Sequence, residues 1–428
     1  MKATQIKAAA LKGELDILLS DLCAVSAEDI ENKRERIAKA ADSFAELYGD
    51  REAYLLSVGG RSEVSGNHTD HNRGCVLAAA INLDIIAVAA PTDDGVVTVK
   101  SEGFTADRVP FEDVSAPAED KKFTSGAIIA GMERAFLDRG LEVGGFVAYT
   151  VSDVLKGSGL SSSAAFEVMI GNILNHLYNG GRVDNVEIAK MAQFAENVYF
   201  GKPCGLMDQT ACAVGGFISI DFKDTAAPII EKQDFDLSGA GYDLCIVDTG
   251  GNHADLNEDY ASVPAEMKAV AAYFGKEVLR DVAEEELLAS AAEIRKELGD
   301  RHLLRAFHFL SENRRVEKQA AALKAGDVET FFENVIASGL SSYRYLQNVY
   351  TVKNVSEQGL SLALCLCERF LSGRGGAYRV HGGGFAGTVQ AFVPKKHTAE
   401  FKAYMEKVFG EGNCHVLSVR RAGAVRLA

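Results

Sequence analysis

No stretch of 18 apolar residues occurs in the chain, so no segment reads as a transmembrane helix. No Cys-x-x-Cys pair occurs either. The eight cysteines (Cys23, Cys75, Cys204, Cys212, Cys245, Cys365, Cys367 and Cys414) are scattered, mostly in apolar runs such as Leu364-Cys365-Leu366-Cys367. Neither a zinc ribbon nor a disulfide scaffold is indicated, and buried free thiols in a reducing compartment are the simplest account. Positive charge is in deficit: 45 Lys and Arg against 60 Asp and Glu give a formal net charge of −15. That balance argues against a polyanion-binding surface as the main business, while leaving room for a local basic pocket. Low-complexity tracts and internal repeats are absent. The first residues carry no signal peptide, because Lys7, Lys12, Glu14 and Asp16 break their apolar stretches. The expectation is a soluble, cytoplasmic protein that binds neither nucleic acid nor membrane.

What is present is an ordinary globular composition, 47% hydrophobic and 25% charged over 428 residues, enough for two or three domains with a sizeable core. Helical spacing dominates residues 1–50. Strands are expected at 53–58, 75–90, 95–101, 145–152, 216–221 and 243–248, with helices at 125–139 and 185–200. Residues 257–371 read as mostly helical, 376–393 as a hairpin, 397–409 as a helix and 414–419 as a strand. The first half mixes strands and helices while the second is helix-rich. This places a boundary near 220–250, taken as one domain at 1–235 and a second at 236–428.

Between the strand ending at 152 and an amphipathic helix lies Lys156-Gly157-Ser158-Gly159-Leu160-Ser161-Ser162-Ser163-Ala164-Ala165. The helix shows in Phe166, Met169, Ile170, Ile173, Leu174 and Leu177. A helix N-terminus offers free N–H groups and partial positive charge, and glycines ahead of it let backbone approach an anion. The hydroxyls can donate to phosphate oxygens or ligate Mg²⁺. The stretch is not a Walker A loop, since no Gly-Lys-Ser/Thr stands at the required spacing. It reads as a phosphate cradle or, more plainly, as a Ser-capped helix.

Residues 59–74 read as a glycine-punctuated loop in which Arg61, Glu63, Asn67, His68, Asp70 and His71 crowd together. Such directional groups suit a polyhydroxylated small molecule, although a solvated loop is equally polar. The spacing of His68, Asp70 and His71 matches no zinc pattern. Asp208 follows a Gly-Lys-Pro-Cys-Gly turn and is either a helix cap or a functional carboxylate in a partly buried site. Glu196 lies on or beside the apolar face of its helix and needs a partner, for which a cation is one candidate. Gly382-Gly383-Gly384-Phe385-Ala386-Gly387 matches G-x-G-x-x-G, but it opens no first βαβ unit, so the dinucleotide reading fails and close approach to a backbone or ligand remains.

In this order the motifs resemble those of the GHMP kinases. The segment from Gly60-Arg61 to Gly66-Asn67-His68-Thr69-Asp70-His71-Asn72 resembles the galactokinase branch. So do Cys204-Gly205-Leu206-Met207-Asp208-Gln209 and Arg305-Ala306-Phe307-His308 with Glu312-Asn313. The resemblance covers roughly residues 40–420. It implies an α+β, two-domain GHMP kinase fold: an N-terminal domain like ribosomal protein S5 domain 2 and a ferredoxin-like C-terminal domain, with the site between them.

It further implies an ATP- and Mg²⁺-dependent sugar-1-kinase of galactose metabolism. By position, Asp208 corresponds to the catalytic carboxylate and Arg61 to the arginine beside it. Gly157, Ser158, Gly159, Leu160, Ser161, Ser162 and Ser163 correspond to the nucleotide loop. Ser162 or Ser163 with Glu196 correspond to the Mg²⁺ ligands, and Asn67, His68, Asp70, Gly205 and Tyr260 to sugar contacts. The implied partners are ATP and a sugar, and the implied assembly is a monomer or weak homodimer.

The family's sugar loop usually reads Gly-Glu-His-Thr-Asp-Tyr. Asn67 here removes the Glu charge, His71 replaces Tyr, and Glu63 stands where Asn is usual. Galactose is the expected substrate; galacturonate or another C6- or C2-modified galactose is the alternative within the family. A non-catalytic sugar sensor is a third reading, opposed by the intact serine loop and by the presence of both Arg61 and Asp208.

Overall fold

The computed structural model of the chain describes residues 1–155, 159–251 and 256–428. Three helices come first: α1 (Ala3–Leu11), α2 (Asp16–Cys23) and α3 (Ile30–Tyr48). Strands β1 (Tyr54–Ser65), β2 (Cys75–Pro91), β3 (Val96–Ser101) and β4 (Asp107–Pro110) lead to α4 (Ser125–Leu137) and β5 (Phe146–Ser152). After these come α5 (Ser162–Tyr178), α6 (Asn185–Phe194), α7 (Met207–Val214), β6 (Phe217–Asp221) and β7 (Ile229–Gln233).

The remainder holds β8 (Tyr242–Asp248), α8 (Asn257–Tyr273), α9 (Glu284–Ala289), α10 (Ala291–Glu297), α11 (Asp300–Ala325), α12 (Val328–Ser341) and α13 (Gly359–Leu371). It closes with β9 (Ala377–Val380), β10 (Thr388–Pro394), α14 (Thr398–Phe409), β11 (Cys414–Leu417) and β12 (Ala424–Arg426). The class is mixed α+β, as expected. No described helix is long and apolar enough to cross a membrane.

The first sheet runs β12-β1-β2-β5-β3-β4, with β6 on the first half of β2 and β7 on β6. All its pairings are antiparallel except β3 with β5. Side chains alternate across a strand, and β2 shows the result. Ile85, Ala87 and Ala89 enter the main core, while Ile86, Val88 and Ala90 pack under α1–α3 with Leu55, Tyr149 and Val151. Both faces are therefore covered: α1–α3 lie on one, and α4–α7 supply most of the helical cover on the other. The second sheet runs β11-β8-β10-β9, and α13 and α14 pack against it.

The sequence places a loop from residue 59, but β1 continues to Ser65. Its register with β2 shifts between Gly59 and Arg61 and again between Glu63 and Ser65. The glycines are required here. A Cβ on Gly59 would lie 2.6 Å from Arg420 Cδ, and one on Gly60 would lie 2.7 Å from the Leu160 carbonyl oxygen. Polar composition therefore marks a strand buried on both sides by polar partners, and Arg61 is carried on that strand. Three strands are invisible in the sequence reading: β4, which pairs with β3, β7, which pairs with β6, and β12, which returns to the outer edge of β1.

Candidate active site

Arg61 reaches Asp208 with two parallel bonds, Nε to Oδ1 at 2.8 Å and Nη2 to Oδ2 at 2.6 Å. This fork geometry is the strong form of a charged pair. Arg61 is buried and Asp208 half-buried. Asp208 stands in the first turn of α7, where the helix dipole favours an anion. Arg61 Nη1 also donates to the Gly159 carbonyl, and Ser161 Oγ donates to Asp208 Oδ2. Ser161 holds φ +56°, a left-handed conformation unusual for serine, and directly precedes α5. The Leu160 carbonyl accepts from Arg61 N at 3.0 Å, so the loop is stitched to β1. Burial works against the Asp208 charge, but the charge and hydrogen bonds of Arg61, then Ser161, outweigh it and hold the carboxyl below its ordinary value. Gly157 and Ser158 of the expected nucleotide loop lie outside the described residues.

On one side of this junction is a cavity of about 690 Å³. Ile85, Phe104, Ile128, Val154, Phe166 and Phe200 give it apolar walls, and Ser162, Ser163, Glu167 and Glu196 stand at its polar end. Glu196 sits on the π-helical segment Ala195–Phe200 that continues α6. It accepts from Gln209 Nε2 at 2.7 Å, while Glu167 accepts from the same nitrogen at 3.0 Å. Two buried carboxylates sharing one neutral donor repel each other. Burial, then the charge of Glu196, pushes the Glu167 carboxyl up to about 8. Lys202 Nζ, 60% exposed, stands 3.4 Å from Glu196.

Among the described residues no group of three or more His, Cys, Asp or Glu side chains could hold a metal ion. Serine hydroxyls with one or two carboxylates nevertheless match the donor set Mg²⁺ accepts when phosphate oxygens and water complete its shell. A cation bound there would favour the ionised form of Glu167 that burial and Glu196 now disfavour.

On the other side lies the cluster read as sugar-recognising. His68 (φ +59°) hydrogen-bonds the Gly383 carbonyl through Nε2 at 2.8 Å. Burial pushes its imidazole down to about 4, with the Gly383 carbonyl and Asp70 opposing. The neutral ring thus donates from Nε2 and keeps Nδ1 as an acceptor. Gly205 faces Asp70, and a Cβ there would lie 2.5 Å from Asp70 Oδ2. Tyr260 donates its hydroxyl to the Gly384 carbonyl at 2.8 Å, and its ring stacks edge-on against Phe385 at 5.3 Å. The 382–387 loop is pressed tightly. A Cβ on Gly383 would come within 2.7 Å of Tyr260, and one on Gly384 (φ +80°) within 2.0 Å of the Asn348 carbonyl oxygen.

Asn67 departs from expectation. It is fully buried, and its amide is saturated within the protein. Nδ2 donates to Glu63 Oε1 and the Gly382 carbonyl, and Oδ1 accepts from Ser342 and Asn348. The side chain turns beneath the glycine loop, so it is a packing node with no capacity left for a sugar hydroxyl. Glu63, in turn, lies 3.7 Å from Arg379 Nη2.

Sequence reasoning missed Glu167, Gln209 and His381. Glu167 is four residues after Ser163 and therefore on its helical face, a spacing that could have found it. His381, just before the glycine loop, bonds Thr388 at 2.8 Å and Ser62 at 3.1 Å and lies under Gly159. Nothing in its spacing marks it.

Two family models match the chain: the galactokinase galactose-binding signature over residues 42–91 and the N-terminal domain of GHMP kinases over residues 126–216. A galactokinase of Streptomyces coelicolor is 34% identical over 356 residues, covering 82% of this chain and 87% of the relative. One from Actinobacillus pleuropneumoniae serotype 5b is 32% identical over 366 residues, covering 83% and 89%. Among solved structures, Lactococcus lactis galactokinase complexed with galactose superposes with TM-score 0.74 at 24% identity, over 90% of this chain and 98% of that one. Methanococcus jannaschii mevalonate kinase superposes with TM-score 0.60 at 14% identity, over 86% and 98%, which shows a shared fold. The chain belongs to the galactokinase family of the GHMP kinases.

Proposed function

We propose that this kinase transfers the γ-phosphoryl group of ATP to the anomeric hydroxyl of galactose, giving galactose 1-phosphate. The observation that carries the reading is the junction of Arg61, Asp208, Ser161 and the Gly159 carbonyl, set between an apolar cavity and a polar cluster. The cavity suits a purine and the cluster a hexose. The reaction lies where residues 1–235 meet 236–428. The assembly we infer, from the family resemblance alone, is a monomer or weak homodimer. The eight cysteines are free and six of them are buried, which supports a reducing, cytoplasmic setting.

Asp208 Oδ2 already accepts from Arg61 and Ser161, whereas Oδ1 accepts from Arg61 alone. One acceptor direction on Oδ1 therefore remains to orient the attacking hydroxyl. A carboxylate held below its usual range is a weak base. That suffices for a loose phosphoryl transfer, in which positioning and charge stabilisation dominate. Arg61 fixes the carboxylate and, through Gly159, the loop. Ser162 and the N-terminus of α5 face incoming phosphate, and the apolar walls exclude water. Ser162 or Ser163 with Glu196, supported by Glu167, would hold Mg²⁺, which when bound supplies neutralising charge for the β- and γ-phosphates.

Coupled ADP release across galactose, galacturonate and N-acetylgalactosamine tests the reading. A clear preference for galactose is expected, since the altered charge at Asn67 is absorbed inside the protein. A preference for galacturonate would transfer the assignment to that sugar. Asp208→Asn should reduce turnover by about 10³-fold or more while ATP and sugar still bind. A wild-type chain releasing no ADP with any sugar would point to a sensor.

A further inference from the structure

The cation-bearing face of α3 runs along the back of the nucleotide cavity. Lys33, Arg36 and Lys39 are spaced three apart, so they follow one another on one side of the helix. Each meets a carboxylate that borders a cavity-lining residue. Lys33 Nζ lies 2.5 Å from Asp84 Oδ1, and Asp84 precedes Ile85. Arg36 Nη1 pairs with Asp153, which stands between Ser152 and Val154. Lys39 Nζ lies 2.7 Å from Glu102, itself on the cavity wall.

Arg36 is the centre of the arrangement. Its Nη2 also donates to the Asp84 carbonyl at 3.0 Å and to Asp84 Oδ1 at 3.2 Å. Asp153 Oδ1 accepts from Asp84 N at 2.6 Å, and Asp153 N donates back to the Asp84 carbonyl at 3.2 Å. Arg36 thus bridges β2 and the residue at which β5 turns into the phosphate loop. Arg420 stands 3.5 Å from Asp84 on the far side, and Ser57 donates to Asp84 at 2.5 Å. A buried carboxylate with this many partners fixes its neighbours firmly, and breaking one partnership leaves charge uncompensated. None of these cations belongs to the matched family segments, the first of which begins at residue 42.

We propose that α3 is a positioning element of the nucleotide site, with Arg36 pinning the root of the phosphate loop through Asp153 and Asp84. The inference rests on the reading of the adjoining cavity as the ATP site. It is tested by titrating ATP into the full chain without sugar, followed by kinetics. Arg36→Gln should raise the Kd for ATP about tenfold, the usual scale for groups that orient a site from behind, while the KM for sugar stays within about twofold. Arg36→Lys should recover most of the loss. Asp153→Asn combined with Arg36→Gln should cost no more than Arg36→Gln alone, because both cut one connection.

An unchanged ATP Kd with only a lower Tm overturns the proposal, as does an equal loss of ATP and sugar affinity. Should Arg36→Gln not fold, Lys39→Gln at the exposed end decides: about a twofold rise in ATP KM supports the proposal, and no change overturns it. Failure of the wild-type chain to bind ATP would sink the assignment of the cavity instead.

Discussion

The two sides of the junction are built differently. On the side proposed for the sugar nearly every polar group already has a protein partner: Asn67 has four, His68 holds Gly383, and Tyr260 holds Gly384. Ser62 through Gly66 are tied to distant parts of the chain by His381, Gln390, Arg379 and Glu312. On the side proposed for the nucleotide the walls are apolar and two carboxyl groups compete for one amide. A polyol is discriminated by direction, which demands donors and acceptors fixed beforehand. A nucleotide is held by area and charge, which tolerates a looser wall and leaves negative charge for a cation to meet.

The largest test strikes the saturated side. Asn67→Asp sets a carboxylate against Glu63 and the Gly382 carbonyl, where an amide now donates. A loss of about 3 kcal/mol at neutral pH is expected in denaturant titration. The new carboxyl would have a raised pKa, so the loss should shrink as pH falls. A loss under about 0.5 kcal/mol would show that the two sides are equally tolerant.

Next, Glu196→Gln should lower kcat/KM for ATP about a hundredfold, recovering in part at high Mg²⁺. Indifference of the variant to Mg²⁺ concentration would remove the cation from this side.

Third, His381 is held neutral. Burial, then the charges of Arg61 and Arg379, pushes its imidazole down to about 3. Its folded pKa lies below the unfolded value near 6.5, so the unfolded chain binds the proton more tightly. Stability from this group is present above about 6.5 and drains away as pH falls toward 3, by about 1.4 kcal/mol per unit while only the unfolded state titrates. His381→Asn should flatten the stability curve between pH 6 and 4 relative to wild type; parallel curves would sink the idea.

The smallest effect belongs to the apolar wall. Phe166→Ala should raise ATP KM about fivefold, roughly 1 kcal/mol of lost burial, with sugar KM unchanged.

The same contrast explains what could be read from the sequence. The helix after the glycine–serine stretch and the 376–393 hairpin carry local patterns that survive folding, and Arg61 and Asp208, singled out from the sequence, meet as a pair. Residues 59–65 misled, because polarity was taken for exposure when the partners come from β9, β10 and α11. The inward orientation of Asn67 was illegible for the same reason, since it is fixed by Ser342 and Asn348, far along the chain. Glu167 hid in an apolar run, and β12 was too short to carry an alternation signal.

That last strand has a consequence for how the molecule is made. β12 closes the open edge of β1, the strand carrying Arg61, and Arg420 just before it supplies one of the cations around Asp84. During synthesis β1 and β2 emerge well before either arrives. Until then the outer edge of β1 presents unpaired backbone and Asp84 has Lys33, Arg36 and Ser57 but not Arg420, so the strand can pair with β2 but is not yet closed on its other side. The strand that carries Arg61 is therefore completed by residues 420–426 as well as by its neighbours in sequence.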